Sequence, residues 1–145
     1  MQAVQPELLQ IFGFWGSILA LKLFGMLLFT AYYRFSNKVF MNPEDAKTIK
    51  GAKVTYNDPD VERTRRAHRN DLENILPWYI ITYLWLGTGP SVWLAGLLIR
   101  TFVISRIIHT LVYVVAHQQP LRAISFFVAF GIAIYQTVST LIYYS

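Results

Sequence analysis

The chain has 145 residues, of which 54% are apolar or aromatic and only 14% are charged, and its mean hydropathy is +0.38. A soluble domain of this length needs more charge to cover its surface, so the composition favours a single integral membrane domain. The net charge of +5 does not indicate nucleic-acid binding, because nine of the 13 basic residues lie between Arg34 and Arg69, interleaved with acids. The absence of cysteine excludes disulfides, cysteine–zinc sites and a cysteine nucleophile.

Four apolar segments approach the ~20 residues that a spanning helix needs. They cover about 8–33, 64–86, 91–115 and 121–144. The second segment is purely apolar only from Ile75 to Leu86, so it reaches spanning length only if its helix begins in the charged stretch, near Glu62 or Arg66. The sequence therefore predicts an all-α integral membrane protein in which residues 1–145 form one domain, a four-transmembrane-helix bundle.

The connections between these segments predict the topology. Residues 88–90 and 118–120 are short turns, whereas segment 34–63 is the one substantial loop, with turns or helix caps at 42–45 and 57–60. Together with the start of the second span, this loop carries nine Lys and Arg residues, and the second connection and both termini carry none. Because basic loops stay in the cytosol, we expect the loop to be cytosolic and both termini to be lumenal.

The second predicted span carries charges toward the membrane. Charged groups inside a span cost a few kcal/mol each, so they tend to be paired or functional. Helical spacing places Arg66, Asn70 and Glu73 on one stripe, with Arg69 beside it. We expect this stripe to face into the bundle.

Two other predicted spans carry polar groups as well. Arg106, His109 and Tyr113 share one face of the third span. Arg122 begins the fourth span, where a cation opposes the helix dipole, and an anion bound nearby would remove that conflict. No metal site is predicted, because the three histidines show no close ligand spacing.

Cations outnumber acids in this set. The surplus consists of Arg65, Arg66, Arg69, Arg106 and Arg122 against Asp71 and Glu73. Such a set suits a small anionic ligand with an ammonium group, because arginines bind carboxylates in a bidentate manner and a glutamate binds an amine. Glutathione has this pattern of charges. A plainer interpretation stays open, in which Glu73 only neutralises an arginine inside the bundle and Lys22 and Arg100 pair internally or reach toward an interface.

Four blocks of the sequence resemble one known family. They are YYRFSNKVFMNPEDA (32–46), DPDVERTRRAHRNDLENILPW (58–78), SRIIHTLVY (105–113) and QPLRAISFF (119–127). In order and spacing they are similar to the membrane-associated proteins in eicosanoid and glutathione metabolism, first to the family's microsomal glutathione transferases and next to its prostaglandin E synthases. The resemblance covers essentially every residue from Lys22 onward.

The resemblance implies a homotrimer of four-helix subunits in the endoplasmic reticulum, with the mitochondrial outer membrane as a second location. It also implies that glutathione, the co-substrate, binds between neighbouring subunits. The family's glutathione contacts fall on Arg69, Asn70, Glu73, His109, Tyr113 and Arg122. Positions that also take part, some from the adjacent subunit, are Arg34, Arg65, Arg66 and His68. The resemblance gives Arg122 the role of stabilising the glutathione thiolate, and Tyr113 can donate an auxiliary hydrogen bond to the sulfur.

The expected activity is transfer of glutathione to hydrophobic electrophiles that arrive through the bilayer, with glutathione-dependent peroxidase activity on lipid hydroperoxides. One alternative is a glutathione-dependent prostaglandin E synthase, and another is a non-catalytic tetraspan protein that binds lipid or acts as an adaptor. Ala123 and Phe126 favour the transferase, because the synthases have Ser and Tyr there. Ala46 occupies the position of a reactive cysteine in vertebrate transferases, so activation by thiol modification is not expected.

Overall fold

A computed structural model describes residues 3–145 as a bundle of long helices with one small capping segment. The five α-helices are α1 (Pro6–Asn37), α2 (Pro43–Lys47), α3 (Pro59–Leu86), α4 (Val92–Leu111) and α5 (Gln119–Tyr144). A π-helical turn, Val112–Ala116, extends α4, and two short parallel strands, β1 (Val39–Phe40) and β2 (Lys53–Val54), pair beside α2. Each of the four long helices overlaps one of the four predicted segments, and the third segment runs through α4 into the π-helical turn.

Helix α3 begins earlier than the sequence predicts. Its first residue is Pro59, whose missing N–H costs nothing at a helix start. The side chain of Asp58 caps the helix by accepting hydrogen bonds from the backbone N–H groups of Asp60 and Val61. The Asn37 side chain donates to the same Asp58 carboxylate at 3.2 Å. This contact ties the end of α1 to the start of α3, so the loop between them covers only residues 38–58.

Three helices are long and apolar enough to cross a membrane by length and composition: Pro6–Asn37, Val92–Ala116 and Gln119–Tyr144. Helix α3 is long enough but is not apolar enough by composition, since the half nearest Pro59 is charged. Each of the four long helices nevertheless exposes large apolar side chains, with Leu28, Ile80, Trp93 and Ile142 each at least two-thirds exposed. An apolar exterior of this extent indicates contact with lipid.

The core is mainly apolar toward one end of the bundle, apart from a buried hydrogen bond from Thr82 to Gln136, and it contains buried charges toward the other end. At the apolar end Trp78 stacks on Phe102 with ring centroids 4.3 Å apart, which joins α3 to α4. The Tyr79 hydroxyl donates to the Gly16 carbonyl oxygen at 2.5 Å, and a Cβ at Gly16 would lie only 3.0 Å from the Tyr79 ring. Glycine therefore favours this close approach of α1 and α3, since a Cβ at position 16 would have to displace the Tyr79 ring by a few tenths of an ångström. Buried charges lie toward the other end, where α3 begins.

Candidate functional site

The buried acid of α3 is Asp71. Lys22 of α1 and Nη2 of Arg106 on α4 both contact Asp71 Oδ1, each at 2.5 Å. The Thr110 hydroxyl donates to the other oxygen, Oδ2, at 3.1 Å. Asp71 and Arg106 are both 0% exposed, so this ion cluster links three helices in a region of low dielectric. The sequence left two possibilities open for Lys22, internal pairing or reach toward an interface, and the structure shows internal pairing with Asp71.

The predicted inward stripe of α3 is wrong for the single subunit. Arg66, Arg69 and Glu73 are exposed, and no salt bridge among residues 3–145 involves Glu73. The helix instead buries the face that carries Ala67, Asp71, Ile75 and Trp78. The sequence does indicate this buried face. Asp71 lies four residues before Ile75 and seven before Trp78, so helical spacing places all three on one side of α3.

Asn70 lies at the border between the buried cluster and the exposed stripe. It is half-buried, and its Oδ1 accepts a hydrogen bond from Arg106 Nη2 at 2.9 Å. The same guanidinium nitrogen thus contacts both Asp71 and Asn70. A single buried cation therefore connects the ion cluster to the exposed residues of α3.

A cavity of about 320 Å³ brings the two predicted catalytic residues together. The Arg122 guanidinium lies 4.5 Å from the centre of the Tyr113 ring, a cation–π contact between α5 and the π-helical turn. Arg63 and Arg66 of α3 line the same cavity. The cavity therefore gathers three cations around one phenol, as an anionic ligand requires.

The π-helical turn determines where Tyr113 lies. A π-helical turn holds one more residue than an α-helical turn, and such turns occur frequently at functional sites. It ends at His117, which has a left-handed backbone (φ 55°), and Arg63 Nη1 approaches His117 Nε2 to 2.8 Å. Sequence reasoning missed Arg63 and His117 as cavity residues. No pattern in 112–116 distinguishes the turn from an ordinary helix.

His109 lies behind Tyr113 rather than in the open cavity. It is 3% exposed, and its ring centroid is 5.7 Å from that of Tyr113 and 6.2 Å from that of Phe126. In the single subunit His109 therefore supports the Tyr113 ring. A direct contact between His109 and a ligand would require the neighbouring aromatic rings to move.

The remaining predicted binding residues line a second cavity, of about 650 Å³, between the end of α1, α2 and α3. Its basic side chains are Arg34, Arg65, His68 and Arg69. None of them lines the Arg122 cavity. On α3 the contributors Arg65, His68, Arg69 and Leu72 follow i, i+3, i+4, i+7 spacing, so they form one helix face that differs from the face of Arg63 and Arg66. Of the ten predicted site residues, three line the Arg122 cavity, four line this second cavity, and Asn70, Glu73 and His109 line neither.

Comparison with known proteins identifies the family. The sequence profile of the MAPEG family matches residues 12–142. The chain belongs to the MAPEG family. The family resemblance drawn from the four sequence blocks is thereby confirmed, and with its apolar helices this MAPEG chain is an integral membrane protein.

Relatives with two different names are similar to this chain. Human "Microsomal glutathione S-transferase 1" is 42% identical over 137 residues, which covers 92% of this chain and 88% of the relative. The bovine protein of the same name is 40% identical over the same extent. Bovine "Prostaglandin E synthase" is 32% identical over 129 residues, or 89% of this chain and 84% of the relative. Identity is therefore higher to the transferases than to the synthase.

Proposed function

We propose that this MAPEG protein is a membrane glutathione transferase that joins the glutathione thiolate to hydrophobic electrophiles. The observation that carries the proposal is the cavity in which Arg122 lies against Tyr113 beside Arg63 and Arg66. The 42% identity to a human microsomal glutathione S-transferase supports the same substrate. Glutathione peroxidase activity toward lipid hydroperoxides is a further part of the proposal, since the same thiolate can attack a peroxide oxygen.

The residues serve thiol chemistry in a simple way. A free thiol has a pKa of about 8.5, so at neutral pH it is mostly protonated, and only the thiolate is a good nucleophile. A cation beside the sulfur favours the thiolate, and Arg122 is suited to this because its guanidinium does not lose its own proton. The Tyr113 hydroxyl is a donor that can hydrogen-bond the same sulfur. The other polar residues hold the peptide in a reactive orientation.

The second substrate is proposed to arrive from the lipid. Phe127 and Phe130 are exposed on α5, one and two turns beyond Arg122, and Phe130 stacks on Phe126 with ring centroids 5.8 Å apart. Phe126 in turn contacts His109 of the candidate site. A hydrophobic electrophile that follows these rings would reach the sulfur without crossing water.

We further propose that the protein is a homotrimer of four-span subunits in the endoplasmic reticulum, and also in the mitochondrial outer membrane, with both termini lumenal. The division of the cationic residues between two cavities supports a site shared by neighbouring subunits. In that arrangement the Arg34 face of one subunit meets the Arg122 face of the next. Glutathione is then enclosed only in the assembly, and α3 spans the membrane with its charged half lining the site.

Mixed assemblies test whether the site is shared. Arg34→Ala and Arg122→Ala subunits should each be nearly inactive alone, but mixed trimers should be active at about one site in three, because each mixed trimer has one interface that joins an intact Arg34 face to an intact Arg122 face. The measurement is glutathione conjugation by purified mixed assemblies that carry two different affinity tags. Activity no higher than that of either single variant would contradict the shared site.

Glutathione binding separates an enzyme from a non-catalytic adaptor or lipid-binding protein. We expect saturable binding in detergent with a Kd between micromolar and millimolar, and no detectable binding by the double variant Arg69→Ala/Glu73→Ala, which loses a carboxylate partner and an amine partner. Isothermal titration measures both. Arg100→Ala is a matched control, because it removes an exposed cation from α4 outside both cavities. Equal binding by wild type and the double variant would contradict the site.

The prostaglandin E synthase alternative is tested on the same preparation. Conjugation of a model electrophile and isomerisation of a prostaglandin endoperoxide are measured side by side. We expect conjugation to exceed isomerisation, since Ala123 offers no hydroxyl to a mechanism that needs a serine there. Isomerisation as the dominant reaction would favour the alternative.

A further inference from the structure

Arg106 is buried too deeply to bind a ligand, yet it contacts Asn70, a half-buried residue that is predicted to bind glutathione. Its side chain is 0% exposed, and its Nη2 atom donates both to Asp71 Oδ1 at 2.5 Å and to Asn70 Oδ1 at 2.9 Å. Because Asp71 is also fixed by Lys22 and Thr110, the guanidinium has little freedom to move. Asn70 is therefore held by a rigid partner.

The chemistry of the two groups determines how the Asn70 amide points. An asparagine amide has one acceptor end and one donor end, whereas a guanidinium only donates. Only Oδ1 can therefore face Arg106, and the Nδ2 donor must point the other way. Turning the amide around would lose a hydrogen bond to a charged group and would place two donors in contact.

We propose that Arg106 is a positioning residue for glutathione: by fixing the Asn70 amide, it makes Asn70 a donor toward an acceptor oxygen of the bound tripeptide. This inference rests on the proposed function, because it specifies how that same site recognises its ligand. Asn70 lies one residue from Arg69 and three from Glu73 on the same helix. The Asn70 amide can therefore donate a hydrogen bond to a carboxylate or peptide carbonyl oxygen of the ligand, but it cannot pair with a ligand group that only donates.

Two matched variants test the proposal. Lys22 and Arg106 are the two cations on Asp71, so Arg106→Met and Lys22→Met each remove one positive charge and each leave one neutral ion pair. Only Arg106→Met releases Asn70. We expect Arg106→Met to raise the glutathione Kd about tenfold, which corresponds to about 1.4 kcal/mol. Lys22→Met should change that Kd less than threefold, and neither variant should change the KM for the electrophile.

A double-mutant cycle shows whether Arg106 acts through Asn70. Asn70→Ala should weaken glutathione binding about as much as Arg106→Met does, and the double variant should bind no worse than either single variant. Additive losses would overturn the proposal, because they would mean that Arg106 affects the ligand by another route. If Arg106→Met does not assemble, Arg106→Lys replaces it, since it keeps the charge on Asp71 with a shorter reach toward Asn70; an unchanged Kd there would overturn the proposal.

The failure of this inference differs from the failure of the proposed function. Saturable binding by the wild type, together with equal Kd values for Arg106→Met and Lys22→Met, overturns the positioning role and leaves the transferase intact. No saturable binding by the wild type overturns both. Selective weakening in Arg106→Met alone, with non-additivity in the cycle, supports both.

Discussion

Replacing Arg122 by alanine should lower the rate of glutathione conjugation by about 10²- to 10³-fold while the protein still assembles. The loss is the expected size for removing one preorganised group that stabilises developing or resident negative charge. Arg122 is half-buried and its recorded contact is with the Tyr113 ring, so its removal leaves no buried group unpaired. The measurement is steady-state conjugation at saturating glutathione, with size-exclusion chromatography to confirm assembly.

The pH dependence of the Arg122→Ala variant gives the prediction a second observable. Without the cation, the pKa of the bound glutathione thiol should rise toward about 8.5, so less thiolate is present at pH 7. Raising the pH from about 7 to about 9 should therefore recover more of the variant's rate than it adds to the wild-type rate. The conjugation rate of Arg122→Lys, which keeps the charge without the planar guanidinium, should lie between the rates of the wild type and Arg122→Ala. Wild-type turnover in Arg122→Ala would contradict the role.

Replacing Asp71 by alanine should be the most destabilising single change in the bundle. It leaves Lys22 and Arg106 close together in the interior without their shared carboxylate. Breaking a buried ion pair by removing one partner costs about 3–5 kcal/mol, which should lower the melting temperature by about 10 °C or prevent assembly. Thermal unfolding in detergent, followed by tryptophan fluorescence, measures the shift.

Lys22→Met is the matched control for that experiment. It breaks the same Lys22–Asp71 contact but leaves Asp71 paired with Arg106, so the cluster keeps one cation and one anion. Its melting temperature should stay close to that of the wild type. If Asp71→Ala melts within about two degrees of Lys22→Met, the ion cluster does not hold the helices together.

The helix positions could be predicted from the sequence, because they depend on local chemistry. Apolar length located α1, α4 and α5, and the argument that the second span is too short correctly extended α3 into the charged stretch. The cap at Asp58 was recognisable from the Asp-Pro pair before the helix. The small β1–β2 pair was not predictable, since two-residue strands leave no periodic pattern.

The site was only partly predictable, because burial depends on contacts between helices. The sequence placed Arg122 and Tyr113 together, and the structure brings them into contact. The sequence analysis predicted that Glu73, rather than Asp71, is the acid inside the bundle. That prediction was wrong because the spacing of charges alone does not distinguish the inner face of a helix from its outer face. The register of Ile75 and Trp78 carries that information.

The proposed role of the cationic cavity is to bind glutathione as its thiolate and to deliver it to an electrophile. Its most direct test is a titration of the purified wild-type protein with glutathione, in which thiolate absorbance and conjugation of a model electrophile are recorded together. We predict that both rise with the same saturating dependence on glutathione at neutral pH and that both are lost in Arg122→Ala. Absorbance that does not saturate, with conjugation no faster than in buffer, would contradict the claim.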